Sequence, residues 1–348
     1  MEFKKLGKSD LTVSAYCLGT MTFGEATSET DSHLQIDQSL ASGINFIDTA
    51  EMYPTCPLRE ETTGDTEVII GNWIEKNKSK RADFVLATKI SGKGYKAVRN
   101  GEGIDEKSIK IAIEGSLKKL KTDYIDLYQL HWPNRGSYHF RQNWNYNPTN
   151  QDTDLAKENI NGVLNALSDL QKEGKIRHIG LSNETCWGTS QFIDQLKNFS
   201  NLIIASIQNE YSLLCRLYDL DLAEMSHHEK ISLLAYSPLA SGFLTGKYLD
   251  GKVPKNSRLS RVSSLFGRIN DNSTIAVREY VSLARKFNIE PVHMALAFCN
   301  QRSFMGSVIF GATEKLQLTK IINGLDVVLS DELITEINKL YKKFPITF

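Results

Sequence analysis

The sequence predicts an α/β protein with the architecture of a (β/α)8 TIM barrel. First, eight short apolar runs rich in Ile, Leu, Val, Phe and Tyr recur along the 348 residues, as expected of buried parallel strands. Second, amphipathic helical patterns alternate with these runs, and eight strand–helix units are typical of this barrel. Third, the alternative fold, a doubly wound sheet, would carry a G-x-G-x-x-G turn after an early strand. The nearest match, Gly92-Lys93-Gly94, lacks the third glycine.

The predicted elements alternate in chain order. The strands span residues 14–20, 44–49, 84–89, 125–131, 176–182, 203–208, 231–236 and 307–311. The helices span residues 30–42, 66–77, 106–120, 159–172, 189–198, 216–227, 273–288 and 314–323. Gly43 and Gly174 stand just beyond two of these helices, where glycine commonly ends a helix.

Four further segments are additions to the regular units. Residues 3–13 predict a hairpin, with its turn at 7–10, that could plug the bottom of the barrel. Residues 330–341 predict a final helix with Ser330 as its N-cap. The other two additions are long inserts, at about 132–157 and 237–272, after the fourth and seventh strands. Both would lie on the C-terminal face, where barrels build their active sites, and loops of this length are commonly functional.

Composition excludes several classes of protein. The chain is 41% hydrophobic and 24% charged, which excludes global disorder. Its 41 basic and 41 acidic residues give none of the basic excess of a nucleic-acid partner. Because no apolar stretch is long enough for a membrane span or a secretory signal, we expect a cytoplasmic protein. Five scattered cysteines without a C-x-x-C pair predict neither a disulfide framework nor a metal site.

Polar residues stand at the ends of three consecutive strands. Asp48, Lys89 and His131 end the second, third and fourth runs, and Tyr53 follows shortly after the second. Each has an ordinary structural use by itself, for example as a helix cap or a solvated lysine. In a barrel, however, all four project into one mouth, where they form a proton-transfer set. The ammonium would lower the pKa of the phenol, and the carboxylate would hold the ammonium in place.

The sequence resembles the aldo-keto reductases over essentially the whole chain. The matching motifs run from one end to the other. They are residues 43–50 (GINFIDTA) with Tyr53, 87–89 (ATK), 130–132 (LHW), 180–183 (GLSN), 207–212 (IQNEYS), 235–239 (AYSPL), 244–248 (LTGKY) and 311–313 (GAT). Glu51-Met52-Tyr53-Pro54 is similar to the bacterial Tas-like branch of the family.

The resemblance implies one barrel domain over residues 1–348 that binds NADP(H) and reduces carbonyl compounds. It implies that Asp48, Tyr53, Lys89 and His131 are catalytic, and that Met52, Tyr53, His131 and Trp132 contact the substrate. Cofactor contacts fall on Thr20, Met21, Asp48, Ser182, Asn183, Gln208, Tyr236, Ser237, Pro238, Leu239, Ser241, Gly242, Lys247, Ser257, Arg258, Gly311, Thr313 and Gln317. Among these, Tyr236 would stack on the nicotinamide, and Lys247, Ser257 and Arg258 would hold the phosphate of the adenosine ribose.

One position departs from the family pattern. Ile321 stands where family members usually carry an Asn that contacts adenine, and Lys320 stands where many have Glu. We therefore expect NADP(H) preference with weaker adenine recognition.

The substrate is less clear than the reaction. The aromatic residues Tyr138, Phe140, Trp144, Tyr146 and Phe266 suit an apolar carbonyl compound, or they only pack the inserts. Arg135 and Arg141 lie in the same insert and could instead attract an anionic substrate.

Two alternative functions remain. One is a cofactor-sensing module resembling the potassium-channel β subunits. The other is a Schiff-base lyase with Lys89 as nucleophile. The sequence does not predict an oligomeric state.

Overall fold

The eight apolar runs form the parallel strands of a closed barrel in the computed structural model, which describes all 348 residues. The strands are β1 (Phe3–Lys5), β2 (Thr12–Ser14), β3 (Tyr16–Gly19), β4 (Phe46–Asp48), β5 (Val85–Ile90), β6 (Ile125–Leu130), β7 (Ile176–Ser182), β8 (Ile204–Glu210), β9 (Ser232–Tyr236) and β10 (Met305–Phe310). Strands β3 to β10 pair in sequence, and β10 closes the barrel on β3. The predicted (β/α)8 fold is confirmed.

Helices surround the barrel. They are α1 (Glu29–Ala41), α2 (Asp65–Lys76), α3 (Glu106–Leu120), α4 (Thr153–Lys172), α5 (Cys186–Leu196), α6 (Asp221–Glu229), α7 (Arg258–Arg261), α8 (Asp271–Lys286), α9 (Pro291–Asn300), α10 (Lys315–Ile322) and α11 (Asp331–Lys343). None of them combines the length and the apolar character that crossing a membrane requires. Ser330 caps α11 as predicted, since its side chain accepts a hydrogen bond from the Leu333 N–H.

The observed helices differ from the predicted ones mainly in three places. Helix α4 begins at Thr153 rather than 159, with Asp152 as its N-cap, so the first insert ends near residue 152. The predicted helix 216–227 is divided into a 3-10 turn (Leu217–Asp219) and α6. Helix α9 was not predicted; it lies between α8 and β10.

The antiparallel hairpin of β1 and β2 plugs one end of the barrel. Leu6, Leu11 and Val13 are buried against inward residues of the strands, including Phe46 and Leu127. The hairpin turn reaches the start of β8 so closely that a Cβ on Gly7 would collide with the Ala205 carbonyl, and its φ is +59°. This apolar layer fills the bottom of the barrel, as the sequence predicts, and leaves its other end for polar side chains.

Candidate active site

A cavity of about 650 Å³ opens at the C-terminal ends of the strands, within the size range of small-molecule sites. Its walls come from strand ends, from the two long inserts and from the segment after β10. The predicted residues that line it are Thr20, Met21, Asp48, Met52, Tyr53, His131, Trp132, Asn183, Gln208, Tyr236, Ser237, Pro238, Leu239, Ser241, Gly242, Lys247, Arg258, Gly311, Thr313 and Gln317. Lys89, Ser182 and Ser257 lie behind this surface.

Asp48 and Lys89 form a buried ion pair beneath the cavity floor. Their side chains point inward from adjacent strands, one pleat above the apolar plug, because Phe46 and Ala87 belong to the plug layer. Lys89 Nζ donates to Asp48 Oδ2 (2.6 Å) and to the Thr49 carbonyl (2.7 Å). Burial lowers the pKa of Lys89, but the Asp48 carboxylate, with a contribution from Tyr53, outweighs this effect, so the pKa is raised overall. The amine is therefore held as an ammonium ion.

Tyr53 and His131 lie above this pair and face the cavity. The Lys89 ammonium is 4.9 Å from the centroid of the Tyr53 ring, and the rings of Tyr53 and His131 meet edge to face at 5.8 Å. Burial raises the pKa of Tyr53, and Lys89 only partly offsets this effect, so the expected net lowering is not found. Burial and the Lys89 charge hold the pKa of His131 well below its usual value. At neutral pH the site thus contains a neutral phenol and a neutral imidazole.

Two carboxamides, one of them unpredicted, complete the surroundings of Asp48. Gln208 Nε2 donates to Asp48 Oδ1 (2.8 Å), and Gln129 Nε2 donates to the same oxygen (3.0 Å). Gln208 Nε2 also lies 3.1 Å from Gln129 Oε1. The sequence analysis missed Gln129. The available signal was an amide inside the apolar run of β6, two residues before His131, where alternation places both side chains inside the barrel.

Asn183 links the floor of the cavity to Tyr236. Its φ of +50° turns the side chain so that Nδ2 donates to the His131 carbonyl (2.9 Å) and to Ser182 Oγ (3.1 Å). Tyr236 Oη donates to Asn183 Oδ1 (2.8 Å). The Tyr236 ring is therefore fixed at the end of β9, on the wall of the cavity.

The insert after β9 forms a polar, positively charged wall. Ser237, Ser241 and Gly242 have φ values of +54°, +60° and +88°, and all three line the cavity. The hydroxyls of Ser241 and Ser257 are buried without a hydrogen-bond partner. Lys247 and Arg258 line the same wall, and neither forms an ion pair within the chain. Such a wall offers donors and positive charge to an anionic ligand.

The opposite end of the cavity is formed by the segment after β10. The backbone N–H and the hydroxyl of Thr313 each donate a hydrogen bond of 3.3 Å to Gln317 Oε1. Lys320 also lines this end, where its ammonium pairs with Glu290 at 2.8 Å. Ile321 is buried beside it. The residue at the family's adenine position therefore presents only an aliphatic side chain.

The aromatic residues of the inserts separate into two groups. Phe140 and Phe266 line the cavity with Met52 and Trp132, and Trp132 packs between His131 (4.9 Å) and Phe140 (6.1 Å, edge to face). The other insert aromatics lie elsewhere. Tyr138 and Tyr146 pack together at 5.9 Å in a second surface cavity, and Trp144 is 63% exposed. These three residues do not line the main cavity, so they do not support the interpretation that the insert aromatics bind an apolar carbonyl compound.

The fold and the site together are those of a (β/α)8 barrel enzyme, because the cluster of ionisable side chains lies at the C-terminal face, where such enzymes carry their active sites. The chain belongs to the aldo/keto reductase family, an oxidoreductase family, whose model matches residues 15–342. It is 41% identical over 351 residues to Protein tas of Escherichia coli (strain K12), with 99% of each chain covered. The predicted Tas-like resemblance is confirmed.

Two other relatives show the breadth of the family. The chain is 36% identical to a protein of Babesia bovis named "Aldo-keto reductase", over 75% of this chain and 96% of that one. It is 27% identical to a probable voltage-gated potassium channel subunit beta of Oryza sativa subsp. japonica, over 99% of this chain and 98% of that one.

Proposed function

We propose that this protein is an NADP(H)-dependent reductase of aldehydes or ketones. The convergence of Tyr53, Lys89, Asp48 and His131 at the floor of one cavity carries this proposal. Membership of the aldo/keto reductase family supports it independently of the side-chain geometry.

The residues of the cavity fit a dinucleotide phosphate. Partnerless buried hydroxyls at Ser241 and Ser257 and the left-handed backbone at Gly242 suit contacts with phosphate oxygens. Lys247 and Arg258 would bind the phosphate of the adenosine ribose, and Tyr236, Asn183, Ser182 and Gln208 would hold the nicotinamide end. Thr20, Met21, Pro238, Leu239, Gly311, Thr313 and Gln317 would complete the contacts. When bound, the cofactor supplies a hydride, which is chemistry that protein side chains do not provide.

The protein supplies the proton and the orientation of the substrate. Tyr53 Oη donates a proton to the carbonyl oxygen as that oxygen becomes an alkoxide. The Lys89 ammonium then stabilises the resulting phenolate, and Asp48 keeps Lys89 beside it. The neutral imidazole of His131 donates a hydrogen bond to the same oxygen, while Met52 and Trp132 pack against the rest of the substrate.

A panel of aldehydes and ketones, followed by NADPH absorbance, tests the proposal. We expect carbonyl-dependent oxidation of NADPH, and Tyr53→Phe should lower kcat by about 10²–10⁴, the usual scale of general acid catalysis. Tyr146→Phe, outside the cavity, is the matched control and should retain wild-type turnover. Near wild-type kcat in Tyr53→Phe would remove Tyr53 from this role.

The geometry favours a reductase over the Schiff-base lyase. A Schiff-base nucleophile must be a free amine that reaches the substrate, but Lys89 is fully buried and bound to Asp48 and the Thr49 carbonyl. Borohydride trapping of Lys89 with a carbonyl substrate would contradict this argument. For the cofactor sensor, the decisive result is NADPH binding without turnover of any carbonyl compound in the panel.

A further inference from the structure

Two arginines, Arg141 and Arg268, line the cavity and share one buried carboxylate that does not line it. Glu210, at the end of β8, accepts a hydrogen bond from Arg268 Nε (2.8 Å) and another from Arg141 Nη1 (3.0 Å). Arg268 comes from the second insert and Arg141 from the first, so Glu210 joins the two inserts. Two positive charges share one negative charge, which leaves an excess of one positive charge at this wall.

The two arginines differ in how many of their N–H groups form hydrogen bonds within the protein. Arg268 is 3% exposed, and its remaining groups donate to the Leu265 carbonyl and to Ser237 Oγ. Arg141 makes only the bond to Glu210, although its guanidinium carries five N–H donors and lines the cavity. Burial, followed by the charge of the neighbouring Arg268, lowers the pKa of Arg141, and Glu210 offsets this effect only in part.

The backbone of the first insert is strained where it presents this group. Phe140 and Arg141 have consecutive φ values of +56° and +64°, a left-handed conformation that side chains other than glycine rarely adopt. The strain places both residues on the cavity wall, with Phe140 packed on Trp132 and Trp132 on His131. The Arg141 guanidinium therefore lies next to a row of aromatic rings that extends from Phe140 through Trp132 to His131.

Arg135, in the same insert, has the contacts of an arginine with a structural role. Both of its terminal nitrogens donate to Glu184, and its guanidinium lies 5.0 Å from the centroid of the Trp187 ring. It does not line the cavity. Of the two arginines that the sequence offers for an anion, only Arg141 is available.

From this geometry we propose that Arg141 binds a carboxylate or phosphate group of the substrate, so that the preferred substrates are anionic aldehydes or ketones with an apolar body. This inference rests on the proposed reductase function, since it assigns the substrate end of the same cavity. The other source of an anion is the pyrophosphate of the cofactor, and the experiment distinguishes the two.

The test compares 4-formylbenzoate with its neutral methyl ester as substrates of the full-length protein with NADPH. We expect the wild type to prefer the carboxylate. Arg141→Gln should lower the ratio of kcat/KM for the carboxylate over the ester by about 10- to 100-fold, the loss of one charge-assisted contact. Arg141→Lys should retain part of the preference, and Arg135→Gln should retain all of it. Because Glu210 keeps Arg268 in every Arg141 variant, no buried carboxylate loses its last partner.

Binding gives a second readout that does not depend on turnover. Calorimetric titration of both compounds into the protein, with and without NADP⁺, should show tighter binding of 4-formylbenzoate and loss of that difference in Arg141→Gln. Equal binding of the two compounds by the wild type would overturn the proposal. So would an Arg141→Gln variant that loses affinity for NADP⁺ while its preference between the compounds stays the same. Failure of the wild type to reduce either aldehyde would count against the proposed reductase function, and the titration would still decide the role of Arg141.

Discussion

At the scale of single residues, Gln129 shows how a neutral amide organises charged neighbours. It donates to Asp48 Oδ1 and lies within hydrogen-bond distance of Gln208, and both partners are buried. A buried carboxylate needs a donor for each of its oxygens, because an unmet polar group in the interior costs free energy. Gln129 and Gln208 donate hydrogen bonds to Oδ1, and Lys89 donates one to Oδ2.

We predict that Gln129→Leu lowers the free energy of unfolding by about 1–3 kcal/mol, since it removes a buried bond to a charged group. Urea denaturation followed by circular dichroism measures the change. Gln191→Leu is the matched control, because Gln191 is half-buried and bonds only to the neighbouring Ser190, and it should stay within about 0.5 kcal/mol of wild type. Equal unfolding midpoints for the two variants would contradict the prediction.

The residues that sequence reasoning found and missed differ in a physical way. Asp48, Lys89 and His131 end apolar runs, so strand geometry alone predicts that they meet. Gln129 stands inside such a run, where an amide gives no local sign of its partners. Contacts such as Glu210 with Arg141 and Arg268 join residues 58 to 69 positions apart. Only the closed barrel and the folded inserts bring these together.

At the scale of elements, the first insert is held in place by histidine and arginine side chains. His139 is buried, and its Nε2 lies 3.1 Å from the Glu184 carbonyl; the neutral ring donates this bond. Burial lowers the pKa of His139 to about 4, below the value of about 6.5 in an unfolded chain. Between these two values the unfolded chain binds a proton that the folded protein does not, so stability falls as the pH falls.

We therefore predict that lowering the pH from 7 to 5 removes about 2 kcal/mol of stability through His139 alone. Urea denaturation at both pH values measures it. His139→Gln keeps a side-chain N–H and does not titrate, so the loss between pH 7 and 5 should be smaller by about that amount. An unchanged pH dependence in this variant would show that His139 is not the titrating group.

The N-terminal hairpin is an element whose contribution is separate from the site. Leu6 is fully buried in the apolar layer at the bottom of the barrel, whereas Phe3 on the same hairpin is 50% exposed. We predict that Leu6→Ala lowers the free energy of unfolding by about 2–5 kcal/mol through the cavity it creates, and that Phe3→Ala costs under about 1 kcal/mol. Turnover per folded molecule, measured at a temperature where both variants are folded, should match wild type. A large change in kcat for Leu6→Ala would show that the plug and the polar layer are coupled.

Which elements the sequence predicts depends on how each one is buried. The parallel strands are buried on both faces and give continuous apolar runs, so all eight were predicted. Helix α9 is also apolar nearly all round, with seven of the eight residues from Val292 to Cys299 buried and only His293 excepted, and it therefore lacks the one-sided pattern of a surface helix. The first turn of α4 contributes no buried residue, since even Leu155 is exposed, so hydrophobic periodicity alone places the helix start too late.

At the scale of the whole molecule, a net charge of zero conceals an uneven distribution of charge. Many ionic groups on the surface pair locally, as Lys320 does with Glu290. The cavity, in contrast, carries Lys247 and Arg258 without carboxylate partners, and Arg141 shares Glu210 with Arg268. Because the cavity walls limit access of solvent, these charges act on a bound anion with less screening than exposed ones.

For the proposed function, these charges bear most directly on discrimination between NADPH and NADH, which differ only in the phosphate of the adenosine ribose. We predict that Lys247→Met raises the Kd for NADPH about 10- to 100-fold, the loss of one charge-assisted contact to phosphate, and leaves the Kd for NADH nearly unchanged. Lys320→Met is the matched control, because Lys320 lines the same cavity but is already neutralised by Glu290. Fluorescence titration measures the Kd of both cofactors for the wild type and for the two variants. If Lys247→Met weakens NADH as much as NADPH, Lys247 contacts a part that the two cofactors share, and the proposed preference for NADPH would then rest on Arg258.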